Sequence, residues 1–347
     1  MKAIVFKEHG TLENVAYVED AAKPEPGPDE VLVAVKAAAL NRLDLWVLEG
    51  WPALKLKLPH VMGSDGAGVV AAVGERVTRV AVGDRVAVNP TVGCGECEFC
   101  RGAEENMCDR FAVLGEHLPG FYAEYIKVPA RNVVSLPTHV SFEQAAAASL
   151  VFVTAWHSLI KAGGFRAGED ILIVGAGGGV NTAAIQIARL AGARQIYVVG
   201  STDEKLAQAQ ALGADVLINR NKENWGKTIF QATKRRGVDV VVDNVGAATY
   251  ANSLRALRKG GRLLTVGNTS GPTFEFDNRY MFGKHLRIIG STMGSQADYE
   301  EVMKLLFAGR LVAVVDRVYP LAEGVTALER LERGDVNGKL VLRIGDE

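Results

Sequence analysis

Apolar residues in the second half of the chain fall in short runs separated by stretches of helical spacing. The run Ile171-Leu172-Ile173-Val174 is wholly apolar and mostly β-branched, the pattern of a strand covered on both faces. A turn almost without side chains follows, Gly175-Ala176-Gly177-Gly178-Gly179, and from Val180 the spacing of Ile185, Ala188 and Leu190 predicts a helix facing a sheet. Five further runs read as strands: Ile196–Val199, Val216–Ile218, Val238–Val242, Leu263–Val266 and Leu286–Ile289. Helical stretches lie between them at 204–212, 225–234 and 250–257, with a shorter one near 279–283. Six strands with intervening helices predict an α/β, doubly wound parallel sheet, with right-handed crossovers and a ligand at the carboxyl edge of its strands.

The first half alternates differently. Val31–Val35 follows the irregular entry Pro24-Glu25-Pro26-Gly27-Pro28, and two Val-rich strands follow at Gly68–Gly74 and Asp84–Val88. Strands this short and close predict a small, partly closed β domain. Asn41–Trp46 reads as a helical turn, Tyr122–Val128 as a half-buried strand, and Glu143–Ala162 as one long Ala-rich helix or a pair. After Ser291 the pattern gives a helix at 299–308, a strand near 312–315, a helix near 325–333 and a last strand at 339–343, all assigned back to the first domain.

Composition narrows the function without naming it. A chain of 347 residues with 48% hydrophobic content has material for two domains. A net charge of −1 offers no footprint for nucleic acid or an anionic membrane, so neither is expected as a partner. The start of the chain meets charge too early for a secretory segment, and no uninterrupted apolar run reaches the ~18–20 residues that cross a bilayer. The expected location is the cytoplasm.

Two stretches carry chemistry. A tight glycine turn at a helix N-terminus leaves backbone N–H groups pointing one way, which suits a pyrophosphate; here Gly175, Ala176, Gly177, Gly178, Gly179 and Val180 form it. All four cysteines, Cys94, Cys97, Cys100 and Cys108, fall in one stretch spaced C-x2-C-x2-C-x7-C among glycines. Four thiolates suit tetrahedral zinc, and a site closed by four sulfurs has no position for substrate, so one structural zinc per chain is expected; an iron–sulfur cluster is the alternative.

These residues, together with Gly63-Ser64-Asp65-Gly66-Ala67-Gly68-Val69-Val70, Val82-Gly83-Asp84-Arg85-Val86 and the closing Gly338-Lys339-Leu340-Val341-Leu342, resemble the medium-chain dehydrogenase/reductases, which include zinc alcohol dehydrogenases and quinone oxidoreductases. The resemblance spans nearly the whole chain. It implies a mainly β, GroES-like catalytic domain at 1–149 and 292–347 with a zinc lobe at 93–109, a Rossmann domain at 150–291, and an active site in the cleft between them. It also implies a homodimer or homotetramer joined through the edge of the Rossmann sheet, and contact of Thr154 with a nicotinamide carboxamide. Asn244, Val266, Gly267 and Ser291 are expected near the nicotinamide from their places at strand ends.

The sequence departs from the alcohol dehydrogenase pattern where a catalytic zinc would be held. The three ligand positions look like Asn41, Ser64 and Leu150; leucine cannot ligate a metal, and amide or hydroxyl oxygens are poor zinc ligands. A second metal would need an unusual set such as Asp65, His117 and a third group. The pattern instead looks like the quinone oxidoreductase branch, which implies hydride transfer from NAD(P)H to an electrophile such as a quinone or α,β-unsaturated carbonyl. Asn41 and Ser64 are the expected hydrogen-bond donors, Trp46 a wall for a flat substrate, and Asp44 and Asp65 organisers of the cleft or direct participants; the competing reading has Asn41 and Ser64 only satisfying local backbone groups. His117 and His157 are relay candidates or simply packed residues. Two other activities compete: alcohol dehydrogenase, and nucleotide binding with little turnover.

In the dinucleotide-binding pattern an acidic residue at the end of the second strand binds the ribose 2′-hydroxyl. Gly200 stands there, followed by Ser201 and Thr202, with Lys205 and Arg220 near enough to neutralise a phosphate. NADP(H) is therefore expected over NAD(H), with Asp203 pulling the other way. The last glycine of the turn is replaced by Asn181, which puts the fit of the pyrophosphate in question.

Overall fold

The six apolar runs form one parallel sheet, in the spatial order third, second, first, fourth, fifth, sixth. The computed structural model describes residues 1–345, and Thr154–Met293, which holds this sheet, is one of two compact units. The central strand Asp170–Val174 is buried throughout; Ile171 sits opposite Ile196 on one side and Val240 on the other. Covered on both faces, it has no use for polar alternation, which explains its composition. The order of strands reverses between the first and fourth, so the switch point lies beside the glycine turn. The fifth strand is longer than its apolar run: Leu257–Thr265 includes Arg258 and Lys259, with Val266 just beyond its end. The sixth, Arg287–Gly290, is an edge strand of exposed and half-exposed residues.

The second unit, Met1–Val153 with the chain from Gly294 on, is built on a seven-stranded sheet. Its organising strand is Glu30–Ala39, paired antiparallel to Asp65–Val73, Tyr125–Pro129 and Lys339–Arg343. Val33, Val35, Val70, Val86, Phe121 and Leu342 belong to its core. At the carboxyl end of this strand Ala39 pairs with both Asp65 and Val341, and the Leu40 N–H donates to the Leu340 carbonyl at 2.9 Å. That register brings Asn41, Asp65 and Lys339 together from three distant parts of the chain.

Several local expectations shift. The helical turn at Asn41 is a helix, Arg42–Glu49. The strand expected from Tyr122 begins at Tyr125, because the Phe121 and Tyr122 N–H groups donate to the Gly63 and Met62 carbonyls. The strand expected at 312–315 runs instead over Val315–Pro320. Its Asp316 is satisfied by Arg330 at 3.1 Å and by the Asn337 N–H at 2.8 Å, so polar residues sit where apolar alternation would be sought. Strands Ala3–Phe6 and Val15–Val18 add to a small sheet with His60–Val61. Phe142–Trp156 runs on through a π-helical His157–Ala162 as 21 continuous residues. By length and composition that helix could cross a membrane, although charged and polar residues interrupt its apolar pattern. The apolar window is 72% buried inside the protein, and this packing accounts for its character.

Candidate functional site

Asn41 stands at the N-cap of helix Arg42–Glu49, where the Asp44 carboxylate reaches back to its backbone N–H at 2.7 Å in a capping box. The cap fixes Asn41 against the start of strand Asp65–Val73. Its Nδ2 donates to Ser64 Oγ at 3.2 Å and to Asp65 Oδ2 at 2.8 Å, and its Oδ1 accepts from Lys339 Nζ. Lys339 Nζ also lies 3.0 Å from Asp65 Oδ2, with 5% of the lysine side chain and none of the aspartate's exposed. Ser64 donates to Asp44 Oδ1 at 3.3 Å, Tyr122 donates to Asp44 Oδ2 at 2.5 Å, and the Leu150 N–H donates to Asp65 Oδ1 at 2.6 Å. Burial pushes the Asp44 carboxyl up to about 6, against the pull of the Tyr122 hydroxyl, the Asn41 N–H and the Lys339 charge. Burial also raises the Tyr122 phenol well above its ordinary value.

This arrangement joins Asn41, Asp44, Ser64 and Asp65 as a set but alters the roles expected of two. Both N–H groups of the Asn41 amide and the single proton of Ser64 are committed inside the network, so neither is a free donor. Their protons go to side chains, while the capping box also engages the local backbone. Trp46 lies on the same helix, half-buried. His117 stands apart: its Nδ1 accepts from the Val113 N–H at 3.2 Å, and Nε2 lies 3.7 Å from Glu116 Oε1. Burial lowers the His117 pKa and raises that of Glu116 to about 7. His157 lies on the π-helical turn. Among the described residues, the one group of three or more His, Cys, Asp or Glu side chains with converging ligand atoms is the four cysteines, so no second set forms around Asp65 and His117. Position by position, the donors present do not fit a catalytic zinc.

Lys339 went without a role in the sequence reading. A buried lysine opening a strand whose next three residues are apolar is a visible signal, and Gly338 before it, at φ +120°, has room for no side chain because a Cβ there would meet the Val314 carbonyl at 2.5 Å.

The four cysteine sulfurs lie within 4.8 Å of one another, with Cys94 and Cys100 Sγ 3.8 Å apart. Tetrahedral bonds of about 2.3 Å to zinc put sulfurs roughly 3.8 Å apart, so the group fits. N–H groups from Glu96 and Cys97 donate to Cys94 Sγ and hold its thiol down at about 6, while burial pushes Cys100 up to about 12. A Cβ at Gly93 would come 2.7 Å from Cys100 Sγ, so glycine leaves room for the sulfur.

In the Rossmann unit, helix Gly179–Leu190 starts from Gly178 with no side-chain cap. Its first N–H groups are thus offered to an anion. Gly175 adopts φ +107°, and Asn181 Nδ2 folds back to donate to the Val174 and Gly175 carbonyls, each at 3.0 Å. Asn181, the residue expected to put the fit of the pyrophosphate in question, therefore ties the turn together through its side chain. Asn244 donates to Asn181 Oδ1 at 3.2 Å and accepts from the Val266 N–H at 2.9 Å, and Gly267 accepts from Thr265. Ser291 Oγ is buried without a hydrogen-bond partner among the described residues, just past the sixth strand. Thr154 Oγ1 lies 3.9 Å from Met293 Sδ. At the second strand, a Cβ on Gly200 would come 2.8 Å from Leu206 and 3.1 Å from Ala176, so that position takes no carboxylate. Thr202 is spent as the cap of helix Asp203–Ala211, accepting from the Lys205 N–H. The Ser201 carbonyl accepts from Asn221, and Arg220 is exposed. Asp203 is held by Asn219 at 2.7 Å and by Lys222.

Comparison with known proteins places this geometry. Residues 27–138 match the alcohol dehydrogenase GroES-like domain, and residues 179–308 the zinc-binding dehydrogenase domain. The chain is 34% identical to an alcohol dehydrogenase of Geobacillus stearothermophilus over 99% of its own length and 100% of that protein's. It belongs to the medium-chain dehydrogenase/reductase superfamily. As a member of that superfamily it is an NAD(P)-dependent oxidoreductase. An acryloyl-coenzyme A reductase of Metallosphaera sedula is equally similar, 34% over 96% of this chain and 95% of that one. A crystal structure of an NAD-dependent alcohol dehydrogenase superposes with a TM-score of 0.95 at 42% identity, covering 99% of this chain and 100% of the other. Within the superfamily, then, relatives of this chain carry the names of two different activities.

Proposed function

We propose that this dehydrogenase/reductase delivers hydride from NADPH to an activated acceptor, a quinone or an α,β-unsaturated carbonyl or thioester, without a catalytic metal. The observation that carries this reading is the closed hydrogen-bond network of Asn41, Ser64 and Asp65, which the Leu150 backbone N–H joins. A Lewis acid lowers the barrier of alcohol–ketone exchange by stabilising the alcohol oxygen as an anion. An acceptor that delocalises the incoming charge reacts with hydrogen-bond donors alone. A nicotinamide dinucleotide with its pyrophosphate at the glycine turn would supply the hydride; the chain itself orients, excludes water and stabilises charge.

The NADPH preference is supported by the crowding at Gly200, which leaves no carboxylate to repel a 2′-phosphate, and by Lys205 and Arg220 nearby. The acryloyl-coenzyme A reductase among the relatives favours the unsaturated thioester; the alcohol dehydrogenases favour a second reading, alcohol–carbonyl exchange. Metal content separates them. One zinc per chain, with NADPH oxidised by quinones, enones or enoyl thioesters, is the expected result. Two zincs and turnover of simple alcohols would replace it with the second reading, and tight NADPH binding with no turnover of either class would make the chain a nucleotide binder. We further take the edge strand Arg287–Gly290 as the surface that pairs with a second copy.

A further inference from the structure

We propose that the Lys339 ammonium is the electrophilic group of this site: it donates its third N–H to the acceptor's carbonyl oxygen as that oxygen gains charge. The inference rests on the reductase reading above. An ammonium carries three N–H donors. Two of those on Lys339 are placed, on Asn41 Oδ1 and on Asp65 Oδ2 at 3.0 Å, and the structure gives the third no acceptor among the described residues. Every other donor around it is spent. Asn41 uses both amide protons, Ser64 and Tyr122 give theirs to Asp44, and the Leu150 N–H is given to Asp65.

A buried cation is held at a cost, and most proteins place such a group only where its hydrogen-bonding capacity is filled. Lys339 is 4% exposed with one donor open, in the same cluster whose residues stand at the positions of a family metal site. The surrounding network fixes where the ammonium points. Asp65 is anchored by the Leu150 N–H, Asn41 by its capping box, and Gly338 brings the backbone of the last strand close against Val314. A fixed charge in a water-poor setting stabilises a developing oxyanion without reorganising during the reaction.

The step balances as follows. Hydride, released as a C–H bond of the reduced nicotinamide breaks, carries two electrons into a new C–H bond at the β-carbon of an enone; the C=C π pair becomes the Cα=C bond of an enolate and the C=O π pair moves onto the oxygen, which accepts the Lys339 N–H. Lysine keeps its proton. The α-carbon then takes a proton from water, giving the saturated carbonyl and the oxidised nicotinamide.

The test must separate this role from simple neutralisation of Asp65. K339M alone leaves a buried carboxylate unpaired, so the decisive variant is K339M/D65N. With its oxygen kept on the Leu150 N–H, an amide at position 65 turns its NH2 toward Asn41, whose own amide flips to accept from it, and the pair is electrically neutral. Folding and zinc content of both variants are checked by thermal unfolding and metal analysis. In a structural role the double variant recovers the kcat/KM lost in K339M. In the role proposed, kcat/KM for an enone stays down on the order of a hundredfold in both, and less for a strongly oxidising quinone. A second reading needs no turnover: 4-nitrophenol is titrated with the NADP⁺-loaded protein, and the bound phenol should ionise lower by on the order of one pH unit in the wild type and not in the double variant. Recovery of the rate in K339M/D65N, or a wild-type phenol bound without a shift or not bound at all, overturns the proposal. If the wild type reduces no acceptor, the reductase reading fails by itself, and the phenol titration alone decides the role of Lys339.

Discussion

Asp44 shows what a single buried carboxyl imposes on this protein. It accepts from Tyr122, from Ser64 and from the Asn41 N–H, yet burial outweighs those bonds and sets its folded pKa at about 6, above the value of about 3.9 in an unfolded chain. The folded state therefore takes up this proton first as the pH falls. Its contribution to stability is greatest below the unfolded value and is lost as pH rises through about 6. The pH-dependent part amounts to at most about 3 kcal/mol. D44N removes the titration, so the unfolding free energy of the wild type should gain on that of D44N between pH 7 and pH 4.5, measured by urea unfolding; parallel curves would show that Asp44 titrates normally. Asn41 and Ser64 were legible as departures from a known motif, and Asp44 as a residue that keeps it. Their partners were not, because Lys339 lies 298 positions from Asn41 and only the strand register unites them. Asn181 makes the same point at the glycine turn. A missing glycine reads as a loss, whereas the side chain that replaces it supplies two hydrogen bonds to carbonyls that the tight turn leaves open.

At the scale of elements, legibility follows how local the determinant is. The cysteine lobe is encoded in fifteen consecutive residues, Cys94–Cys108, so spacing alone locates it, and the convergent sulfurs agree. The central Rossmann strands are equally visible, because burial on both faces of Asp170–Val174 and its neighbours leaves mostly apolar runs, whereas the exposed edge strand Arg287–Gly290 shows only as Ile288-Ile289 beside a charge. Strand Val315–Pro320 was misplaced because Asp316 and Arg317 interrupt its apolar pattern, and Asp316 is satisfied by residues from the following helix and turn. The lobe should also behave as a separable element. Its helical turns Glu98–Arg101 and Glu105–Met107 are short, and none of the residues in Glu98–Arg101 is buried. Zinc is thus expected to supply the stability that packing does not. C100S should be purified without zinc and should be cleaved by trypsin near Arg101 and Arg110 far faster than the wild type, while far-UV circular dichroism retains the parallel sheet. A variant that keeps zinc and resists cleavage would mean that the lobe is held by contacts other than the metal.

For the whole molecule the relevant surface is the open edge of the Rossmann sheet. Strand Arg287–Gly290 hydrogen-bonds on one side to Leu257–Thr265 and has no neighbouring strand on the other among the described residues. An exposed edge with an apolar residue is a template for another strand, and monomeric proteins usually block it with charge, proline or a bulge. Here Ile288 is 36% exposed, and Phe276 and Phe282 are exposed at 43% and 66%. Among the described residues, Arg287 and the short length of the strand are the blocking features, and a flanking arginine does not cover the central isoleucine. Pairing two copies antiparallel through this strand would satisfy the open backbone groups of both and cover Ile288 in the same step, an isologous arrangement that closes on itself. I288D places a charge opposite its own copy across such a pair, where like charges repel and each must be desolvated. Light scattering coupled to size exclusion should find the wild type as a dimer or a multiple of it and I288D as a monomer at micromolar concentration, with the circular dichroism of the two unchanged. Assembly that survives the aspartate would move the interface to another face, and a wild type that is monomeric would mean that Arg287 suffices to protect the edge.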